Sequence, residues 1–415
     1  MSPTPRAALV LAVIAVAALV LPAAAVGVAA LVLAGAVIAD ARAVRRRPEL
    51  RRQLPDALAR GVPAQLEVEA QVTAGGSVRV RQPSVPDVEI EPREGDHGLA
   101  ATVVGRRRGR HVLPGVAARA VGPLGLGAWY HRAGEDRELR VYPDMPAARR
   151  LALAVRLGRF REQGLLPRGP LGLGTEFESV RDYQPDDDIR QVNWRATARL
   201  GRPMSNEYRL ERDREVVCLV DAGRLMAAPL GDRTRLDAAV DAAVAVALVA
   251  DAVGDRCGAV AFDDAITRRV RSRRGGGEAV VEALYDVEPR PVESNYGLAF
   301  QVVEGSKRSL VVVLTDLLDE AAARSLLEAM PVLARRHAVV VASCADPDLE
   351  QIVRSQPADA TDVYTTTAAL ELLGERAKVV ARLRRAGAQV VEARPTALGA
   401  ACVQAYLQAK ARARL

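Results

Sequence analysis

The sequence predicts an α/β protein in which a doubly wound parallel sheet follows a small β-sandwich and an N-terminal transmembrane hairpin. Three observations predict it. Residues 7 to 39 are almost continuously apolar, residues 60 to 145 alternate apolar and charged side chains, and residues 216 to 415 alternate buried runs with helical stretches. A chain of 415 residues has room for two or three domains. The boundaries read as a hairpin over 1–41, a basic linker over 42–59, a β-sandwich-like domain over 60–145, a linking segment over 146–215 and an α/β domain over 216–415.

The apolar N-terminal run is broken by Pro22, Gly27 and Gly35. One spanning helix needs about 20 residues, so this run is too long for one and tight for two, with 7–21 and 23–39 meeting near Pro22. Arg6 precedes the first half and an arginine cluster follows the second. The positive-inside rule then puts both ends in the cytoplasm. A cleaved signal peptide is the competing reading, since Ala23 to Ala25 suit a cleavage site. The second apolar stretch would still anchor the chain, so the expected location is the cell membrane, multi-pass, with cytoplasmic soluble domains.

Formal charge is +7, but residues 42 to 60 hold seven arginines against Glu49 and Asp56. The basic excess therefore marks a bilayer surface and not a nucleic-acid partner. LEVEAQV, SVRVRQ and VEIEP carry the period of half-buried strands, separated by Gly75-Gly76, Pro83, Pro86 and Gly95-Asp96. Arg106-Arg107-Arg108-Gly109-Arg110 reads as a solvated hairpin.

In the last segment VVCLVD, CGAVAF, SLVVVLTD, AVVVAS and AQVVEA are the strands, with helices over 235–254, after Gly277, and over 319–334. Arg273-Arg274-Gly275-Gly276-Gly277 lacks the spacing of a phosphate-binding loop and reads as a helix cap. RRVRSRR (268–274) reads as a solvated strand and turn. Cys218, Cys257, Cys344 and Cys402 are widely spaced, as buried small hydrophobes in a reducing compartment would be. No G-x-S-x-G or H-E-x-x-H occurs, and four histidines form no triad spacing. The chain is expected to be no enzyme and to need no cofactor.

Sites in such sheets form at the carboxyl ends of strands, where Asp221 and Asp316 lie. Paired carboxylates suit a divalent ion such as Mg2+. The von Willebrand factor A domain builds such a site on D-x-S-x-S, a later Thr and a later Asp. Here Asp221-Ala222-Gly223-Arg224-Leu225 lacks both serines, Ser294 or Asn295 could supply the middle ligand, and Asp316 follows Thr315. A metal-dependent protein-binding module on Asp221 and Asp316 is thus the second reading, behind pairing of both with arginines and backbone amides.

Residues 174 to 208, GTEFESVRDYQPDDDIRQVNWRATARLGRPMSNEY, fit neither period. Arg181 to Pro185 looks extended, and the aspartate run is placed to cap a helix over 189–199. The mixture of Arg, Asp and aromatics suggests a polar network with buried rings that clasps the two soluble domains. Chemistry on Asp187 and Asp188 ranks last, because no partner group accompanies them. The stretch resembles the signature of the domain-of-unknown-function 58 family, through Gly174, Glu176, Phe177, Arg181, Tyr183, Asp187, Asp188, Arg190, Trp194, Ala198 and Arg199. Asp186 stands at a Gly place of that pattern and Asn193 at an Asp place. The resemblance extends to RGRHVLPGV and GPLGL. It implies a bacterial membrane-anchored protein with a von Willebrand A-like domain. It also implies partnership with MoxR-type AAA+ ATPases and other membrane or envelope proteins, in assembly or maturation of protein complexes.

Overall fold

The computed structural model describes residues 1–71, 75–157, 176–184, 187, 189–209, 213–304, 308–318 and 320–411, with backbone alone at 133, 176–178, 190, 207–209 and 304. Asp188 and Gly174 lie outside the described residues, and Glu176, Phe177 and Arg190 are described by backbone only. The chain divides into two compact units, Met1–Tyr142 and Pro143–Leu415.

The first unit opens with two helices, Pro5–Ala17 and Ala23–Ala43. The second, of mean hydropathy 2.2, is long and apolar enough to cross a membrane. The first has 13 residues, which at 1.5 Å per residue spans roughly 20 Å, short of the hydrocarbon thickness. The first helix thus stops at Ala17, short of the predicted Leu21, and the second runs on to Ala43, past the predicted end at Ala39.

The β part of this unit contains three sheets. A four-stranded sheet holds Glu49–Gln53, Ala64–Gln71, Gly98–Gly105 and Val88–Glu91, in that order. A five-stranded sheet runs Ser2–Pro3, Gly127–Ala133, Val116–Val121, Ser77–Arg81, Glu94–Asp96. A three-stranded sheet joins Ala57–Ala59, Arg137–Tyr142 and Gly109–Leu113. Period two decides which residues point inward: Leu66 and Val68, Val78 and Val80, Leu139 and Val141 meet in one core while the charged residues between them face water.

The second unit is built on a six-stranded sheet in the order Ile266–Arg274, Arg256–Phe262, Glu215–Asp221, Leu310–Leu314, Ala338–Cys344, Gln389–Ala393. Five strands run parallel, and the arginine-rich edge strand pairs antiparallel to Arg256–Phe262. The sheet is therefore mixed, not wholly parallel as the buried runs suggest. A tight turn at Asp263–Ala265 returns the chain where a crossover helix is needed for a parallel neighbour.

Helices cover both faces. Val217, Leu219, Val311 and Val313 pack with Tyr296, Phe300, Met330 and Val379 from three helices. On the opposite face Cys218 Sγ lies 3.9 Å from the Ala243 carbonyl of helix Arg235–Ala252. That helix is apolar almost all round and buried along most of its length, as a helix enclosed by other elements must be. Thr234 and Asp237 form a capping box at its start. The predicted helix over 319–334 begins later, at Arg324, and ends at Arg336. All four cysteines are free and buried. Burial pushes the Cys344 and Cys402 thiols up to about 12, which leaves them inert.

Candidate functional site

Glu176–Asp182 and Met204–Arg209 pair antiparallel, so the two ends of the signature stretch form a β-ribbon. Between them stand a short 3-10 turn, Ile189–Gln191, and the helix Trp194–Leu200. Arg181 sits at the end of the ribbon where residues 183–203 leave it and grips Asp187 with both Nη atoms, at 2.9 and 2.6 Å. Gln184 N–H donates to the same carboxylate at 2.9 Å, and Tyr183 OH donates to the Asp187 carbonyl at 3.1 Å. The Arg181 hydrogen bonds, helped by that amide, hold the Asp187 carboxyl below its ordinary range. Arg181, Tyr183 and Asp187 thus form one network, and all three were legible in the sequence.

The helix cap corrects the sequence expectation. Asn193, not the aspartate run, accepts the Ala196 N–H at 3.0 Å, and its Nδ2 donates to Asn206 Oδ1 at 2.8 Å. An asparagine caps as well as an aspartate and can also donate, which accounts for Asn193 at the pattern's Asp place. Gly201 ends the helix at φ +66°.

The expectation of buried rings fails at Trp194, which is 68% exposed, and Tyr183 is only half-buried. Ile189 and Leu200 are exposed too, and no residue of the helix Trp194–Leu200 is buried. Arg195 and Arg199 are exposed, four residues apart, with no carboxylate partner among the described residues. Like charges at that spacing repel by about 0.2–0.5 kcal/mol. An indole, two aliphatic side chains and two guanidiniums without a carboxylate partner among the described residues are thus all exposed within residues 189–200.

A second cluster lies at the carboxyl ends of the central strands Glu215–Asp221 and Leu310–Leu314, where the strand order reverses. Asp221 is buried and accepts four hydrogen bonds. Gly223 N–H (2.8 Å) and Ser294 Oγ (2.5 Å) reach Oδ1, and Tyr296 OH (2.8 Å) and Thr315 Oγ1 (2.6 Å) reach Oδ2. Burial and the neighbouring Asp221 charge push the Tyr296 phenol well up, so it stays a donor. Asp316 is also buried. Arg235 Nη1 lies 2.8 Å from its Oδ1, Arg376 Nη1 3.5 Å away, and Ser343 Oγ donates to it at 3.3 Å. Arg235 also reaches Asp346 at 2.9 Å.

This donor set does not fit a divalent ion. The hydroxyls that would be ligands are spent on Asp221, and the cationic position beside Asp316 is taken by guanidiniums. Among the described residues no group of three or more His, Cys, Asp or Glu side chains is placed to hold a metal. Sequence reasoning singles out Asp221, Asp316, Thr315 and Ser294 but misses Tyr296, Arg235 and Arg376. These three sit inside helical patterns, where nothing in their spacing marks them.

The glycine loop has a plain role. Asp251 accepts Gly276 N–H at 3.1 Å and Gly277 N–H at 2.7 Å, so the helix start at Gly277 already holds an anion of the chain's own.

The sequence profile described as "Protein of unknown function DUF58" matches residues 179–390. Uncharacterized proteins of Mycobacterium bovis and Mycobacterium tuberculosis are 27% identical over 190 residues, which is 44% of this chain and 58% of theirs. The match thus spans a little over half the length of those relatives. Among solved structures, a cohesin module from a Clostridium perfringens family 33 glycoside hydrolase aligns with 23% of the chain at 8% identity and a TM-score of 0.16. The SrpA adhesin of Streptococcus sanguinis aligns with 23% at 12% identity and 0.15. Neither likeness carries an argument at those scores.

Proposed function

Because the chain belongs to the DUF58 family, we propose that it is a non-enzymatic, membrane-anchored platform for a MoxR-type AAA+ ATPase that assembles or matures protein complexes. In this reading the helix Ala23–Ala43 crosses the bilayer with the shorter Pro5–Ala17 inserted beside it, the soluble units are cytoplasmic and the six-stranded sheet is von Willebrand A-like. The resemblance in the signature stretch supplies the partner class.

One observation carries the reading: the signature spends its conspicuous residues on the surface. Trp194 is two-thirds exposed, Ile189 and Leu200 of the same short stretch are exposed too, and Arg195 and Arg199 have no carboxylate partner among the described residues. Exposed apolar side chains interleaved with Arg are what partner surfaces concentrate. The Arg181–Asp187 pair at the loop end of the ribbon supplies an internal fixing point for the stretch. No hydrolytic machinery needs to be invoked, since the ATPase would supply the energy and this chain the docking surface.

The test is capture of the ATPase from detergent-solubilised membranes by the full chain. Wild type is expected to retain a MoxR-type ATPase, and Trp194→Ala combined with Arg199→Glu to lose at least tenfold, a hot-spot loss of about 1.4 kcal/mol or more. Capture of no such ATPase by wild type would sink the reading.

A further inference from the structure

The ends of the two N-terminal helices meet at one turn. Ser2 and Pro3 pair with Ala128 and Gly127, and Thr4, the cap of the first helix, donates from Oγ1 to Gly125 O at 2.5 Å and from N–H to Leu126 O at 3.0 Å. At the far end of the second helix Asp40 is buried against the same turn. It accepts Leu124 N–H (2.9 Å), Leu126 N–H (2.8 Å) and Gly127 N–H (2.9 Å). The fit is close: a Cβ on Gly127 would stand 2.4 Å from Val37 O and 2.5 Å from Ala41 N. His131 Nε2 lies 3.0 Å from Val44 O just beyond. The apolar helix therefore leaves the β-unit from a fixed socket, residues 122–127.

What surrounds the socket is one-sided. Arg6 lies over Gly125, and Arg42, Arg46 and Arg47 are exposed, none of these four with an ion-pair partner among the described residues. Arg45 stands over the Trp129 ring at 5.9 Å. At the tip of the socket Leu124 is 62% exposed while its amide is held by Asp40. A protruding leucine on the turn that holds both helix ends, with exposed arginines at those same ends, has the composition of a headgroup-level contact.

We propose that the arginines at the two helix ends, Arg6, Arg42, Arg45, Arg46 and Arg47, together with Leu124 of the socket, are a binding surface for anionic phospholipid headgroups. The arginines take the phosphates, Leu124 enters the acyl boundary, and the socket transmits that contact to the whole β-unit. The inference rests on the reading that the helix Ala23–Ala43 spans the bilayer.

The test uses the full chain with Leu124→Cys or Leu31→Cys, labelled with an NBD fluorophore. The four native cysteines are buried and stay unlabelled. The protein is reconstituted in nanodiscs of phosphatidylcholine, with or without roughly one-third phosphatidylglycerol, carrying shallow doxyl-lipid quenchers for the Leu124 probe and deep ones for the Leu31 probe. The Leu124 probe is expected to be quenched more strongly in the anionic discs. Replacing Arg42, Arg45, Arg46 and Arg47 by Gln should abolish that difference, as should high salt. Quenching at Leu31 without quenching at Leu124, or quenching at Leu124 that ignores lipid charge, overturns the headgroup surface and leaves the spanning helix standing. Absence of quenching at both positions overturns both.

Discussion

Arg235 reaches two carboxylates at once, Asp316 and Asp346. With its side chain almost wholly buried, removing the charge strands Asp316 beside Arg376 alone. Arg235→Met should destabilise the protein by about 3–5 kcal/mol in urea unfolding, and adding Asp316→Asn should return much of that loss. Wild type should give flat calorimetric titrations with Mg2+ and Mn2+; binding that Asp316→Ala removes would reinstate the metal-dependent module. Asp187 makes a pH-dependent prediction. Its carboxyl is held low by Arg181, so its share of stability is present above the ordinary carboxylate value and lost as pH falls from there through the lowered folded value. Limited proteolysis should find the signature ribbon intact at neutral pH and opening only once the pH has fallen below the ordinary carboxylate range, with Arg181→Gln opening it already at neutral pH. At this scale legibility was uneven. Asp221 and Asp316 could be read because an acid after an apolar run marks a strand end. Arg235 could not, because an arginine at a helix start is ordinary until the fold brings Asp316 and Asp346 to it.

The C-terminal helix Leu398–Ala411 is fixed to the sheet unit by more than apolar packing. Lys410 Nζ lies 2.5 Å from Asp255 Oδ2, both fully buried, and Tyr406 OH donates to the same oxygen. Asp255 Oδ1 accepts the Arg214 N–H at 3.1 Å, which ties this helix to the start of the central strand. Lys410→Met is expected to cost about 3–5 kcal/mol by leaving a buried carboxylate uncompensated, and the Lys410→Met/Asp255→Asn pair far less. A double-mutant cycle by thermal unfolding measures this, and equal losses in both variants would contradict it. Elements were the most legible level. Apolar runs gave the strands of the sheet within a residue or two at most ends, because full burial on both faces leaves a continuous signal. The reversed edge strand was hidden, since direction depends on a turn of three residues and not on composition.

For the molecule as a whole, the change of period along the chain predicts a β-domain ending at 145, a linking segment over 146–215 and an α/β domain from 216, whereas the compact units are Met1–Tyr142 and Pro143–Leu415. The exposure of Trp194 was not legible, because an aromatic residue inside a polar stretch reads equally as a buried clasp or as a surface. The antiparallel edge strand Ile266–Arg274 has a last consequence. It carries five arginines and no acid, and Arg269, Arg271 and Arg273 are exposed without a partner among the described residues. Two copies meeting along this border would set ten guanidiniums together while offering each other open backbone amides. Electrostatic repulsion between two such borders would oppose growth of the sheet across molecules. Replacing those three arginines with threonine should raise light scattering on concentration, and wild type should scatter more as salt screens the border. A variant that stays monodisperse at every salt concentration would show that something else guards the sheet.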